Sequence, residues 1–129
     1  MTHRDIAILL AMLAILAPAA SAQQSGITRT DLLDRDLDVP GRIVAQVRVG
    51  FAAGAQAARH KHPGAEVAYV LEGTLEYRLD GREPITLRAG ESLFIPAGIV
   101  HSAQNVGAGE AEELATYVVE KGKPLVLPP

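Results

Sequence analysis

The feature that most limits what this chain can fold into is its punctuation. From Arg42 onward, short runs rich in valine, leucine and tyrosine are broken every eight to ten residues by glycine or proline. No stretch sustains a helical period, and runs this short suit the strands of an all-β sandwich or barrel. Residues 42–51 alternate, with Ala45, Val47, Val49 and Phe51 on one face and Gln46 and Arg48 on the other, as a strand with one side in a core should. The same logic places strands over 66–71, 75–79, 84–87, 92–95, 100–106 and 114–119. Asp80-Gly81 is the strongest short hairpin signal in the chain.

The flanks are of a different kind. Residues 23–41 are polar and acidic, with Asp31, Asp34, Asp36 and Asp38 around a few leucines, and end in Pro40-Gly41; they read as an extended arm leading into a barrel domain over 42–120. A tail over 121–129 carries three prolines and is expected along the surface. Residues 1–22 have the form of an export signal: a short basic start, twelve apolar residues from Ile6 to Ala17, and Ala20-Ser21-Ala22 as the cleavage site. Twelve helical residues reach about 18 Å against a hydrocarbon core of roughly 30 Å, which argues against a spanning helix. The absence of a paired-arginine start points to the general secretory route. Cleavage after Ala22 would leave 107 of the 129 residues, one domain, in the periplasm or outside the cell.

Two compositional facts narrow the partners. The formal charge is −3, so nothing recommends a nucleic acid, or a membrane after signal cleavage. There is no cysteine, so stability cannot come from disulfides, a lipid anchor has no thiol to occupy, and any metal must be held by nitrogen and oxygen.

Apart from His3 in the leader, every histidine falls in one of two segments: His60 and His62 in ARHKHPGAE, and His101 in PAGIVHSAQN. Residues i and i+2 of a strand share a face, so His60 and His62 can converge on one ion. Glu66 follows across Pro63-Gly64, enough chain to turn a carboxylate back toward the same point, and His101 would arrive just past a tight turn. A lone histidine is more often a packed structural residue than a ligand; four convergent residues are not. Three imidazoles and one carboxylate leave one or two positions open on a six-coordinate ion, and such a site accepts Mn²⁺, Fe²⁺, Co²⁺, Ni²⁺, Cu²⁺ or Zn²⁺.

These residues also resemble the two motifs of the cupin family. Gly54, His60, His62, Glu66 and Gly73 match all five positions of the first, and Gly90, Pro96, Gly98, His101 and Asn105 all five of the second. The resemblance covers about 42–119. It implies a jelly-roll β-barrel of six to eleven strands with one divalent metal in its wider end, held by His60, His62, Glu66 and His101. It further implies a small-molecule metalloenzyme of the cupin dioxygenase kind, in which Glu66 is the candidate catalytic base, acting if it leaves the metal. The alternatives are a non-catalytic binder of metal or a small metabolite, and a structural or partner-binding role served by the acidic arm.

The remaining motif residues are expected to be architectural. Gly54, Gly73, Gly90 and Gly98 suit turns at positive φ, Pro96 stiffens the loop before His101, and Asn105 bonds loop backbone. Tyr69 and Tyr77 are expected to pack, with the hydroxyl of either one a candidate for the pocket border. By family resemblance the chain forms a homodimer through a sheet face, with Val67, Tyr69 and Leu71 as candidate interface residues.

Overall fold

The apolar runs become antiparallel strands in the computed structural model, which describes residues 24–129; the expected leader over 1–22 lies outside the described residues. The strands are β1 (Ile27–Asp36), β2 (Arg42–Phe51), β3 (Gln56–His60), β4 (Gly64–Glu72), β5 (Thr74–Leu79), β6 (Ile85–Arg88), β7 (Ser92–Ile95), β8 (His101–Asn105) and β9 (Ala111–Glu120). They form a five-stranded sheet in the order β1-β2-β9-β4-β7 and a four-stranded sheet in the order β3-β8-β5-β6. Among the described residues no helix is long and apolar enough to cross a membrane.

Alternation determines which side of each sheet becomes core. Ala45, Val47, Val49 and Phe51 of β2 are buried, as are Leu75, Tyr77 and Leu79 of β5. Burying one such aliphatic or aromatic side chain is worth about 1.5–3 kcal/mol, so the two facing rows are the main source of stability. On the opposite side of the five-stranded sheet, Val67, Tyr69 and Leu71 stay exposed beside Phe94, which pairs with Val67 across β4 and β7.

The arm expected over 23–41 is extended, but most of it is taken into the barrel. Residues 27–36 pair along the whole of β2, with a register shift between Asp31 and Leu33, as the outermost strand of the larger sheet. Nine of its ten residues are exposed. An edge strand seldom covered by a second layer tolerates the aspartates that concealed it, and charge there discourages pairing with another chain.

The tail is fixed at one point. Lys61 and Leu127 form a bridge, with Lys61 N–H donating to the Leu127 carbonyl at 3.1 Å and Leu127 N–H returning a bond at 2.9 Å. The proline-rich end runs along the surface and is thereby tied to the segment between His60 and His62.

Candidate metal centre

The four residues expected to ligate metal arrive from both sheets. His60 closes β3 and is the direct cross-strand partner of His101, the first residue of β8. His62 lies two residues beyond β3, and Glu66 projects inward from β4 in the facing sheet. Gly64 makes this possible: a Cβ there would stand 2.1 Å from the Val118 carbonyl oxygen, so only glycine lets β4 run against β9 at the point where Glu66 must turn inward. Gly98, at φ 72°, closes the turn before His101 and donates its N–H to the His62 carbonyl at 3.2 Å. The four motif glycines all have positive φ.

The three rings meet. Their centroids lie 4.4 Å apart for His60 and His101, 4.8 Å for His60 and His62, and 5.0 Å for His62 and His101. One ligand nitrogen from each lies within 4.8 Å of the others, a group that can hold a metal ion. Oε2 of Glu66 stands 2.9 Å from Nε2 of His62 and 3.3 Å from Nε2 of His101. All four side chains are buried.

Hydrogen bonds on the far side of each ring decide what faces inward. Nδ1 of His60 donates to the Ala58 carbonyl at 2.6 Å, Nδ1 of His62 to Leu125 at 2.6 Å, and Nδ1 of His101 to Ile99 at 2.9 Å. A carbonyl oxygen only accepts, so each Nδ1 carries a proton and each ring turns its Nε2 toward the centre, where it can serve as the ligand atom. Carbonyl partners of this kind orient metal-ligating imidazoles.

The centre shows the corresponding deficit. Nε2 of His62 and Oε2 of Glu66 are buried and lack a hydrogen-bond partner, being close but not aligned with each other. Two such atoms 2.9 Å apart call for a positive bridge between them, a proton or a metal ion. A divalent ion bound by three nitrogens and one oxygen meets that demand, so the residues present fit the metal that the motif implies.

Electrostatics agree in direction. Burial holds His60 down to about 4, against a partial rise from its bond to Ala58, so the ring is neutral and available as a ligand near neutral pH. Burial alone would raise Glu66, but the adjacent His101 and His62 outweigh it and hold the carboxyl at about 2, ionised.

Beside the rings lies a cavity of about 20 Å³ bordered by Arg29, Tyr77, Glu113 and Tyr117 as well as His60, Glu66 and His101. Tyr77 donates to Oε2 of Glu113 at 2.5 Å. Burial pushes Glu113 up to about 8, with the charge of Glu66 adding to the rise. Tyr117 packs edge-on against His62 at 4.7 Å. Of these, only Tyr77 was foreseen as a possible pocket residue; Tyr69 is on the outer face, 39% exposed. Glu113 had a detectable signal, because it falls in phase with Ala111, Ala115, Tyr117 and Val119 on the buried face of β9. Asn105 has the architectural role expected of it: its side-chain amide donates to the carbonyls of Phe51, Ala52 and Gly109, and its Oδ1 accepts from Gly107.

Comparison with known proteins agrees with this architecture. The family model described as a cupin domain matches residues 47–123, more than half of the chain and a span that includes all ten motif positions. The chain is a cupin. Germin-like protein 1-1 of Oryza sativa subsp. japonica is 38% identical to this cupin over 79 residues, 57% of this chain and 37% of that protein. Oxalate oxidase 2 of Hordeum vulgare is 35% identical over 82 residues, again 57% and 37%. A solved oxalate oxidase structure superposes with a TM-score of 0.64 at 26% identity, covering 88% of this cupin and 60% of that chain. The cupin thus spans little more than a third of the germin-like protein and the barley oxidase.

Proposed function

We propose that this cupin holds one divalent transition metal through His60, His62, Glu66 and His101 and acts as a metalloenzyme on a small oxygen-bearing molecule. The observation that carries this is the set of three carbonyl-fixed imidazoles whose Nε2 atoms meet the unpartnered Oε2 of Glu66. When bound, the ion would supply a Lewis-acid or redox centre with one or two positions open to water, oxygen or substrate. The chain's own residues fix the ring orientations, exclude bulk water, and keep Glu66 ionised so that it can take a proton should it release the ion. Oxalate oxidases among the similar proteins support a small acid or related molecule as substrate.

The test is metal analysis followed by oxygen uptake with small acids, diketones, flavonols and thiols, comparing wild type with His62→Ala at equal metal loading. Turnover lost with the ligand supports an enzyme. A second reading, a non-catalytic metal binder, is favoured by the small cavity, which has room for about one water; stoichiometric metal with silence across the panel would establish it.

We further propose that the chain is exported and folds outside the cytoplasm, where copper or zinc would load first on affinity grounds. A mature N-terminus at Gln23 in protein from the periplasm or medium supports export, and only iron or manganese in that protein would refute the copper or zinc assignment. The exposed face of Val67, Tyr69, Leu71 and Phe94 is proposed as a homodimer interface; a monomer in light scattering at high concentration would exclude it.

A further inference from the structure

The cavity beside the imidazoles contains a group that metal binding does not use. Arg29 stands opposite Val49 in the ladder between β1 and β2, so its side chain leaves the sheet on the inward face, two residues after buried Ile27. Among the described residues that border the cavity, ten are buried and Arg29 alone is exposed. It is therefore the one side chain of the lining that reaches both the interior and the solvent.

An arginine here has an ordinary structural reading, since from the edge strand its charge acts on the buried Tyr117 hydroxyl and on Glu113. One neutral hydroxyl uses little of what the group offers, for a guanidinium presents five donors in a planar fork. Among the described residues no carboxylate lies within ion-pairing distance of Arg29. The charge balance decides what could take the remaining donors. A divalent ion and Arg29 bring three positive charges, and Glu66 and Glu113, even both ionised, remove two. With the ion bound, the cavity would keep a net positive charge and attract an anion.

Resting on the metal-site proposal, we infer that Arg29 is the substrate anchor: it takes the carboxylate of a small organic acid by paired hydrogen bonds and so positions the acid against the three imidazoles. Bidentate geometry is what a guanidinium offers a carboxylate and an ammonium cannot reproduce. The cavity, about 20 Å³, holds about one water as it stands, so admitting even a two-carbon acid requires the exposed Arg29 side chain to swing outward first.

The experiment loads the full-length chain with Co²⁺, whose visible spectrum reports ligand binding, and titrates glycolate and acetate against glycolamide and acetamide. Wild type is expected to prefer each acid over its amide by at least about tenfold. Arg29→Gln should weaken acid binding by about tenfold to a hundredfold while leaving the amides unchanged, and Arg29→Lys should restore part of the loss. A merely structural arginine would change the melting temperature without changing acid-over-amide discrimination. Full cobalt occupancy without that discrimination in wild type, or with discrimination equal in Arg29→Gln, overturns this inference alone. Failure to bind cobalt at all overturns the metal site and this inference with it. Should Arg29→Gln not fold, the wild-type preference and its reduction in Arg29→Lys decide the matter.

Discussion

Replacing Glu113 with glutamine should make the metal-free protein more stable in alkali and leave it nearly unchanged in acid. Glu113 is 4% exposed and receives the Tyr77 hydroxyl, and burial together with the charge of Glu66 raises it from 4.5 to about 8. Below pH 4.5 the folded and unfolded states both carry the proton, and nothing is lost. Between 4.5 and about 8 the unfolded chain gives the proton up while the folded one keeps it. Stability then falls by about 1.4 kcal/mol per pH unit, to a ceiling of about 5 kcal/mol above pH 8. Relaxation around the buried group brings the expected loss to about 2–3 kcal/mol. Glutamine keeps the shape and an acceptor for Tyr77 but cannot ionise. Urea unfolding followed by circular dichroism at pH 5, 7 and 9, in the presence of a chelator, measures the difference. The two proteins should agree within about 1 kcal/mol at pH 5 and diverge in favour of Glu113→Gln by about 2–3 kcal/mol at pH 9. Curves that run parallel across the range would refute the raised carboxyl. A bound divalent ion, offsetting the charge of Glu66, should shrink the divergence.

Other perturbations test the scaffold and the support of the ligands. Asn105→Ala removes one acceptor and an amide serving three carbonyls, so it should cost about 3 kcal/mol and lower the melting temperature by about 12–24 °C in calorimetry; a loss under about 1 kcal/mol would contradict the bonding described. Gly64→Ala drives a methyl group into the Val118 carbonyl and should destabilise the fold by about 3 kcal/mol or more, read by denaturant midpoint, with a neutral result excluding the close approach. Deleting residues 124–129 removes the acceptor for Nδ1 of His62 and should weaken metal affinity by about tenfold to a hundredfold in chelator competition. Unchanged affinity would mean that the ring needs no such support.

The barrel and its centre were legible in the sequence to different depths, for physical reasons. Strands with one face in the core announce themselves by alternation, and 42–51 and 92–95 coincide with β2 and β7. The edge strand β1 does not, because an exposed edge has no apolar row to display and its aspartates read as an arm. β3 was hidden by its length and by the register shift between Ala57 and His60, which breaks the alternation where the ligands begin. The histidines and Glu66 stood out because their spacing answers to the chemistry of an ion. Glu113 and Tyr117 answer only to the phase of β9, and a strand read as starting at Leu114 leaves the glutamate outside it. Arg29 depends on the pairing of β1 with Val49, which local pattern does not contain.

The bond from His62 to the Leu125 carbonyl joins residues 63 positions apart, and it gives assembly an order in time. A chain made from its N-terminus presents His60, His62 and Glu66 long before the oxygen that aims the second of these rings exists. Premature capture of an ion by the growing polypeptide would be loose and reversible. Discrimination among the metals proposed for this centre would therefore fall to the last stage of folding, when the segment around Leu125 and Leu127 docks beside Lys61 and directs the His62 imidazole.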